Sequence, residues 1–480
     1  MSEVKKPKRP PLILDLEVEK LAYGGKGVAR KDDFVWFVDK GLPGQHVTAQ
    51  ARRKKRRYGE AFIKEVITPS PDQVDAPCPY FGLCGGCQLQ HYDYAAQAQA
   101  KTQQVAELID RLGGLTGVPV QPTIHADKRY GYRNKMEFSF SNKRWTIEDE
   151  DGSVPDNWAL GLHVPRRFDK VLQIDRCLLQ TDAANDVLET VNAFAQSKKP
   201  DKLWAYDLKT HKGFWRFLVL RAGQLTGELM VNVVTSTQFG EQGDAAIDEL
   251  AAIITEKHPE VTTMLHSVTD KLAQAAFAES ARVLIGSGKI TEKIGDKVFE
   301  ISPNAFFQTN SYQTETLFKA IAEAAELTGE ETVYDLYCGT GAIGIYLADH
   351  AKNVLGIEVI PEAIEDARHN AEINGLENID FRVGDMKDAI KQRDKLEAKY
   401  GAPHVAILDP PRGGTHPKTI QHLMALNAPT VVYVSCNPSI LARDLAVLCE
   451  KQYVVDLIQP VDMFPHTGHV EVVARLNRRK

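Results

Sequence analysis

The sequence has few of the features that would place a protein in a membrane or outside the cell. It contains no uninterrupted apolar run near the roughly 18 residues that a membrane span needs. Residues 1–11 are basic and contain three prolines, without the apolar core of a secretion signal. Seven cysteines in 480 residues are too few for a disulfide scaffold and favour a reducing compartment. We therefore expect a cytoplasmic protein, not bound to membranes, whose cysteines have metal-binding or catalytic roles.

The net charge is also small, but the charge is unevenly distributed. The chain carries 58 Lys and Arg against 64 Asp and Glu, whereas residues 1–70 carry 16 against 9. Most of this local excess is the run 52–57, Arg-Arg-Lys-Lys-Arg-Arg. Charges of one sign at this density repel one another unless an anionic partner such as a nucleic-acid backbone neutralises them. Contact with nucleic acid is the favoured interpretation, and a solvated loop or a charged edge strand is the alternative.

The length exceeds one ordinary core, and the patterns divide the chain into three parts. Residues 1–69 contain short alternating apolar runs separated by glycine turns, which is typical of a small five-stranded barrel of the oligonucleotide-binding kind. Residues 70–300 are mainly β-patterned and contain a cysteine-rich segment. Helices are expected near 93–112, 182–196 and 243–257, the first being a candidate for packing on the C-terminal domain.

Residues 301–480 alternate strand-like and helix-like segments, which predicts an α/β fold with a doubly wound, Rossmann-like parallel sheet. Its expected strands are 332–337, 353–358, 379–383, 405–409 and 431–435, followed by a closing hairpin of 452–459 and 469–476.

A candidate cofactor site begins where the first of these strands ends, at Asp335-Leu-Tyr-Cys-Gly-Thr-Gly341. With Gly344 this segment contains the bare pattern G-x-G-x-x-G, which is weak evidence alone. Glu358 ends the next strand, where an acid binds ribose hydroxyls, and Asp385 ends the third, where it can hold an adenine amino group. Asp335, Glu358 and Asp385 together favour adenosine without phosphate, because an acidic pocket repels pyrophosphate; S-adenosylmethionine is such a ligand. The alternative is that these acids cap helices.

A candidate reaction centre lies at the ends of later strands. Asp409-Pro-Pro-Arg412 follows one strand, Cys436 follows the next, and Glu471 stands near the last. Arg412 replaces the aromatic residue of related Asp-Pro-Pro-Tyr loops that methylate amino groups, which argues against an exocyclic nitrogen as target. Carbon 5 of uracil is a poor nucleophile, but Cys436 can activate it by adding to carbon 6, and Glu471 can then remove the carbon 5 proton. The alternative is a buried structural cysteine and a surface glutamate.

Four segments together resemble the RNA uracil-5-methyltransferase family over nearly the whole chain: 303–310 (PNAFFQTN), 409–414 (DPPRGG), 431–437 (VVYVSCN) and 461–471 (VDMFPHTGHVE). The resemblance implies that Cys436 is the nucleophile and Glu471 the base. It also implies S-adenosylmethionine contacts at Gln308, Tyr337, Glu358 and Asp409. Ile440 stands where the family usually has threonine, and we expect this departure to affect only local packing.

The cysteine-rich segment has the spacing Cys78-x5-Cys84-x2-Cys87, and Cys177 follows in the central domain. Four thiolates can hold zinc or an iron–sulfur cluster, and spacing alone leaves both open. The family resemblance implies a [4Fe–4S] cluster on these four residues. Of the remaining cysteines, Cys338 is expected to pack in the cofactor loop and Cys449 in the core.

The N-terminal part resembles a TRAM domain through Lys20-x3-Gly-Gly-Lys-Gly-Val-Ala29, and its basic run is suited to gripping phosphates. Tyr132-Arg-Asn-Lys135 resembles a further family motif and is a candidate RNA contact, or else a strand with ordinary polar edges. Chemistry at carbons 5 and 6 requires access to the ring faces, so the uridine must leave its stack. A structured RNA loop is the expected target.

The prediction is therefore an S-adenosylmethionine-dependent RNA uridine C5-methyltransferase. 23S ribosomal RNA is the preferred substrate, because a TRAM domain together with a cysteine cluster resembles that branch, and the T-loop uridine of transfer RNA is the alternative. A non-catalytic RNA-binding or chaperone protein would be expected to lack Cys436 or Glu471, and both are present. Cytosine-5 methylation would require a second cysteine in the Asp-Pro-Pro segment, where there is none. Nothing in the sequence indicates an obligate protein partner.

Overall fold

Alternating apolar residues near the N-terminus form a closed barrel in the computed structural model, which describes residues 10–146, 157–272, 276 and 280–480. The strand order is β1-β2-β3-β5-β4, with β3 and β5 parallel. Apolar side chains of every second position point inward, as in β1, where Leu14, Leu16 and Val18 are buried. The strands are β1 (Ile13–Leu21), β2 (Gly27–Lys31), β3 (Phe34–Asp39), β4 (His46–Lys54) and β5 (Tyr58–Thr68).

The predicted five-stranded barrel is confirmed, and β2 is the strand without a clear apolar run. It starts at Gly27, where an added Cβ would lie 2.8 Å from the Gly41 carbonyl oxygen. Gly59 likewise leaves room for the Trp36 ring that fills the barrel. Close packing of backbone and a large indole therefore closes this small barrel.

Helix α1 (Tyr94–Arg111) connects the cysteine-rich segment to the C-terminal domain. Asp93 caps it, accepting hydrogen bonds from the backbone of Ala95 (2.9 Å) and Ala96 (3.2 Å). Val105 and Ile109 on its apolar face belong to the core that lies under the C-terminal sheet. The helix is thus part of the support of that sheet.

The central domain is a seven-stranded sheet of order β12-β11-β10-β9-β6-β7-β8. Its neighbouring strands are antiparallel, except β10 and β11, which α3 connects as a parallel crossover. Two helices pack on one face, close to their predicted positions. The elements are β6 (Lys135–Ser141), β7 (Ala159–Val164), β8 (Arg167–Gln173), α2 (Asp182–Ser197), β9 (Trp215–Ala222), β10 (Leu229–Thr235), α3 (Gly240–Lys257), β11 (Val261–Val268) and β12 (Ser280–Ile285).

A hairpin and a helix join the central sheet to the C-terminal one. They are β13 (Ile290–Ile294), β14 (Lys297–Ile301) and α4 (Ser311–Ala325). Their buried residues, among them Ile294, Phe299 and Leu317, share one core with the C-terminal sheet. Asn310 caps α4 and donates from its side chain to the Met463 carbonyl at 2.8 Å. The hairpin and α4 therefore pack with the C-terminal sheet.

The C-terminal domain is the predicted doubly wound sheet, of order β17-β16-β15-β18-β19-β21-β20. The first five strands are parallel, and β21 runs antiparallel between β19 and β20. The elements are β15 (Thr332–Leu336), α5 (Ala342–Leu347), a 3-10 turn (Ala348–His350), β16 (Asn353–Glu358), α6 (Pro361–Ile373), β17 (Ile379–Val383), α7 (Met386–Lys391), α8 (Arg393–Tyr400), β18 (Val405–Leu408), α9 (Pro417–Leu426), β19 (Thr430–Ser435), α10 (Pro438–Lys451), β20 (Tyr453–Val461) and β21 (Glu471–Arg478).

Both faces of this sheet are covered by helices, so strands such as β18 are buried along their whole length. Loops follow each parallel strand at the carboxyl edge of the sheet. Within the described ranges, no helix has the length and apolar character required to cross a membrane.

Candidate active site

Three of the predicted site residues meet at the carboxyl edge of the C-terminal sheet. Asp409 follows β18 and Cys436 follows the neighbouring strand β19. Strand β21 runs in the opposite direction, so its first residue, Glu471, lies at the same edge. Ser435 pairs with Val472, so Cys436 and Glu471 each directly adjoin the last pair of the two strands. The fold therefore brings a thiol and two carboxyl groups together.

Burial controls the protonation of Cys436, Asp409 and Glu471. Burial, and then the Asp409 carboxylate, raise the pKa of Glu471 to about 8. Burial raises the pKa of Asp409 to about 7. Burial and the nearby Glu471 raise the pKa of the Cys436 thiol to about 11, while Arg412 acts in the opposite direction. Burial thus favours the protonated forms of these groups, and a cation placed among them would favour the thiolate.

The backbone around Cys436 is held by local hydrogen bonds. Asn437 caps helix α10, with its side chain accepting from the Ser439 amide at 3.1 Å, and Pro438 begins the helix. The Asn437 amide donates to the Ser435 hydroxyl at 3.2 Å. Cys436 thus stands just before a helix N-terminus, whose partial positive charge favours an anion.

The glycine-containing loop after β15 has the backbone conformation that a cofactor loop requires. Tyr337, Gly339 and Gly341 have positive φ values of 67°, 54° and 79°. The Glu358 side chain accepts a hydrogen bond from the Gly339 amide at 3.3 Å. It also accepts from the amides of the next two residues in the chain, Val359 (2.7 Å) and Ile360 (3.1 Å). Glu358 therefore links the ends of the first two strands, where an adenosine ribose is expected to lie.

Asp335 is a buried acid behind this loop, and the sequence assigns it no direct contact with the cofactor. One of its carboxylate oxygens accepts from the Gly344 amide at 3.0 Å. Burial, and then Asp409 and Glu358, raise its pKa to about 7. The motif Asp335-Leu-Tyr-Cys-Gly was visible in the sequence, but the depth of the aspartate depends on the packed sheet.

The remaining two predicted cofactor residues have different surroundings. Gln308 lies in a loop next to the glycine loop. The two loops are joined by a hydrogen bond, in which the Thr340 hydroxyl donates to the carbonyl of Phe306, two residues before Gln308, at 3.4 Å. Asp385 is exposed and caps helix α7 by accepting from the Asp388 amide at 2.9 Å. The capping alternative that the sequence left open is thus observed for Asp385, whose contact with adenine stays a prediction.

The N-terminal barrel contributes a residue that the sequence did not single out. The turn between β1 and β2 places the Tyr23 hydroxyl 2.9 Å from the Cys436 carbonyl oxygen, to which it donates. Tyr23 lies inside the segment that resembles a TRAM domain. A single tyrosine in a glycine-rich turn carries no signal by itself, so only the docking of the two domains shows its position.

The segment Tyr132–Lys135 corrects the expectation of direct RNA contact. Tyr132 is fully buried and donates to the Pro465 carbonyl at 3.0 Å. The Asn134 side chain is also buried and donates to the Gln308 carbonyl (2.8 Å) and the Ser311 hydroxyl (2.9 Å). The RNA-contact prediction is wrong for these two residues, because both are enclosed by the loops that they hold.

Helix α1 and the residues on either side of it contact the loop that precedes Glu471. The side-chain oxygen of Gln97 on α1 accepts from the His466 amide at 3.0 Å, and the Leu89 amide donates to the His466 carbonyl at 2.9 Å. Tyr130 stacks on the His466 ring with centroids 4.5 Å apart. This loop is therefore fixed from the helix and from the cysteine-rich segment.

Comparison with known proteins identifies the family. A model of the family described as tRNA (uracil-5-)-methyltransferase matches residues 182–479, and a TRAM domain model matches residues 13–64. The chain belongs to the RNA uracil-5-methyltransferase family.

Relatives of this uracil-5-methyltransferase agree over almost the full length. An uncharacterized RNA methyltransferase of Chlorobaculum tepidum is 42% identical over 91% of this chain and 90% of its own. Another, from Porphyromonas gingivalis, is 40% identical over 96% and 99%. The solved tRNA (uracil-54, C5)-methyltransferase of Pyrococcus abyssi, in complex with S-adenosyl-L-homocysteine, matches with a TM-score of 0.72 and 30% identity over 96% of this chain and 99% of that one. The protein is thus an S-adenosylmethionine-dependent RNA methyltransferase of the uracil-5 type.

The four cysteines proposed as cluster ligands lie in one region of this methyltransferase. Tyr80, beside Cys78, donates to the Asp175 carboxylate at 2.9 Å, which brings the segment of Cys177 to the cysteine-rich loop. Burial raises the pKa of Cys84 to about 11, with Cys177 adding to the effect. In the described part of the chain, however, no three His, Cys, Asp or Glu side chains are arranged to hold a metal ion. The metal prediction is therefore not confirmed.

The other two predicted placements of cysteine are observed, since Cys338 and Cys449 are both buried. Ile440, which stands where the family usually has threonine, takes part in local packing, as expected. Its side chain covers Gly414 of the Asp-Pro-Pro-Arg-Gly-Gly loop, where an added Cβ would collide with it.

Proposed function

We propose that the enzyme methylates carbon 5 of a uridine in structured RNA, with Cys436 as nucleophile and Glu471 as base. The observation that supports this proposal is the pairing of β19 with β21, whose last pair is Ser435 with Val472, the immediate neighbours of Cys436 and Glu471. Asp409 and Arg412, from the adjoining loop, affect the protonation of both. A thiol that adds to carbon 6 and a carboxylate that takes the carbon 5 proton need to work on one ring, and this arrangement permits it.

In the proposed reaction the Cys436 thiolate forms a bond to carbon 6, and the electron pair moves to carbon 5. Carbon 5 takes the methyl group, and the donor leaves as S-adenosylhomocysteine. Glu471 then accepts the proton from carbon 5, and the sulfur–carbon 6 bond breaks to release the thiolate. Glu471 must be ionised to act, and the positive sulfonium of the donor favours ionised forms of both groups.

For the cofactor we propose contacts from Gln308, Tyr337, Glu358, Asp385 and Asp409. The positive φ values after β15 open a loop beside Glu358, and Asp409 lies between this loop and Cys436. These residues would hold the donor at the ends of β15, β16 and β18, where it would supply the methyl group.

The mechanism is tested with substitutions of the two catalytic groups. Cys436→Ala is expected to abolish methyl transfer to RNA, while the affinity for S-adenosylmethionine stays within about twofold, because the thiol acts on the base. Cys449→Ala, in the core of α10, is the matched control and should remain active. A fully active Cys436→Ala variant would refute the nucleophile.

Glu471→Gln should leave carbon 5 methylated but unable to lose its proton, so that RNA stays bound to Cys436. Denaturing gel electrophoresis with labelled RNA measures this adduct. The double variant Cys436→Ala/Glu471→Gln should show none. If the single variant turns over at the wild-type rate without an adduct, Glu471 is not the base.

For the substrate we propose 23S ribosomal RNA, from the combination of a TRAM domain with a cysteine-rich segment. A specific observation favours a second candidate, transfer RNA, because the matched P. abyssi enzyme is named for uridine 54 of tRNA. Mass-spectrometric mapping of 5-methyluridine in both RNAs, from cells with and without the gene, distinguishes them. Both substrates place the reaction in the cytoplasm, where we propose that the enzyme works.

We also propose a [4Fe–4S] cluster on Cys78, Cys84, Cys87 and Cys177. Its support is the meeting of the two cysteine segments through Tyr80 and Asp175, next to the loop that fixes His466. Bound to the four thiolates, a cluster would crosslink these segments. Protein purified without oxygen should contain about four iron and four sulfide per chain, and Cys84→Ser should lose them. Stoichiometric zinc without sulfide would refute the cluster.

A further inference from the structure

The turn between β1 and β2 of the barrel contacts both loops that carry the proposed catalytic groups. The Tyr23 hydroxyl donates to the Cys436 carbonyl at 2.9 Å. The next residue, Gly24, donates from its amide to the Gly468 carbonyl at 3.3 Å. Gly468 stands three residues before Glu471. One short turn of the N-terminal domain therefore connects the nucleophile loop with the base loop.

At these contacts the backbone of the turn and the backbone of the base loop lie directly against each other. A Cβ added to Gly468 would lie 2.7 Å from Gly24 Cα, closer than real Cβ atoms approach. Gly25, the following residue, has Gln88 Cβ 3.1 Å from the position of an added Cβ. The Gln88 side chain in turn accepts from the Gly468 amide at 3.2 Å. Gly468 is therefore needed for this close approach, and little room is left for a side chain at Gly25.

Tyr23 is suited to be a permanent hydrogen-bond donor at this place. Its ring is half-buried and packs against the core of the C-terminal domain. Burial, and then Cys436 and Glu471, raise the pKa of Tyr23 to about 12, so the hydroxyl keeps its proton at neutral pH. The Cys436 carbonyl is part of the short segment between β19 and the cap of α10, so holding it limits how far Cys436 can move.

We propose that Tyr23 is a positioning residue of the active site, through which the N-terminal barrel holds Cys436 at its working distance from Glu471. The inference rests on the proposed function, because it takes Cys436 as the nucleophile. Misplacement of a reacting group by about 1 Å can cost a factor of 100 in rate, so one hydrogen bond to the nucleophile loop is enough to matter. The barrel then has two roles, because it binds RNA and also forms part of the active site.

The test is Tyr23→Phe in the full-length enzyme, which keeps the ring and removes the hydroxyl. We expect kcat to fall about tenfold, the value of one hydrogen bond, with KM for RNA and for S-adenosylmethionine unchanged. A second readout is adduct formation with RNA containing 5-fluorouridine, in which Glu471 has no proton to remove and the Cys436 bond persists. The rate of this adduct should fall by the same factor.

The matched control is Tyr453→Phe at the opposite edge of the sheet. Its hydroxyl also donates to a backbone carbonyl, that of Ala428, at 3.0 Å. This variant should lose a comparable amount of thermal stability and keep wild-type kcat and adduct rate. An equal loss of kcat in both variants would mean that Tyr23 acts only through stability and would overturn the proposal.

Cys436→Ala, measured in parallel, separates the two hypotheses. If Cys436→Ala is inactive and Tyr23→Phe has wild-type kcat and adduct rate, the positioning role is refuted and the nucleophile stands. If Cys436→Ala is active, the proposed function fails, and the positioning role fails with it. Inactive Cys436→Ala together with slow Tyr23→Phe and normal Tyr453→Phe supports both.

Discussion

Glu471 shows at the residue scale how burial governs the chemistry of this site. Its side chain is only 6% exposed, and the pKa is raised from an ordinary value of 4.5 to about 8. Between these two values the folded protein binds a proton that the unfolded chain releases. Stability supplied by the protonated form is therefore present below about pH 4.5 and is lost as the pH rises through 8.

Glu471→Gln should reverse this loss, because glutamine resembles the protonated acid at every pH. We expect a melting temperature close to wild type at pH 4.5 and about 2–6 °C higher at pH 9, measured by differential scanning fluorimetry. Glu450→Gln, an exposed position on α10, is the control and should show no such trend. A difference that does not change between pH 4.5 and 9 would contradict the burial of an ionisable Glu471.

At the scale of elements, helix α1 and the loop before β21 form one unit. Lys101 on α1 and Asp462 make an ion pair of 2.7 Å with both side chains almost fully buried. The Tyr94 hydroxyl donates to the second oxygen of Asp462 at 3.1 Å. A buried pair of this kind stabilises little compared with apolar packing, but breaking it leaves a charge without a partner. The element that carries Glu471 thus depends on a helix from before the central sheet.

Lys101→Met should destabilise the protein by about 3–5 kcal/mol in urea unfolding, because Asp462 is left buried and unpaired. Lys101→Met/Asp462→Leu should recover most of the loss. Lys319→Met, which breaks the exposed pair with Glu315, is the control and should change stability little. If the double variant is no more stable than the single one, the loss comes from packing and not from the unpaired charge.

At the scale of the whole molecule, the barrel presents two features at different ends. Tyr23 lies in the turn after β1, whereas the basic run ends β4 and forms the hairpin to β5. Within this run, Arg52 pairs with Asp39 and Glu60 at 2.7 Å each. The later residues 53–57 are exposed. One domain can therefore hold RNA phosphates with one end and contact the active site with the other.

Replacing Arg53, Arg56 and Arg57 together with glutamine should weaken RNA binding at every sequence and lower the salt dependence of log K by about 2. Filter binding or fluorescence anisotropy between 50 and 200 mM salt measures this slope. The control replaces three exposed lysines of the catalytic domain, Lys352, Lys395 and Lys451, with glutamine. An unchanged slope in the arginine variant would show that the basic run does not contact RNA.

Prediction from the sequence succeeded where the signal is local. The strands of the C-terminal sheet were placed within one or two residues, because buried parallel strands appear as continuous apolar runs. The predicted strands end at Asp409 and directly before Cys436, whereas Glu471 falls inside the predicted last strand, 469–476, and the structure places it at the start of β21. Strand β2 gave no such run, because Gly27 and two charged residues occupy most of it. The predicted RNA contact is wrong for Tyr132 and Asn134. In a sequence, polar residues that bind buried backbone cannot be told apart from polar residues that bind a ligand.

The sequence by itself determined the family, the α/β sheet with its barrel, and the residue types at the strand ends, because periodicity and short motifs are properties of neighbouring residues. Only the tertiary structure decided that Tyr23 reaches the nucleophile loop, that α1 supports the base loop, and that burial raises the pKa values of Glu471 and Asp409. These features depend on residues that are hundreds of positions apart in the chain. Distance and burial arise when separate elements pack, and no local pattern encodes them.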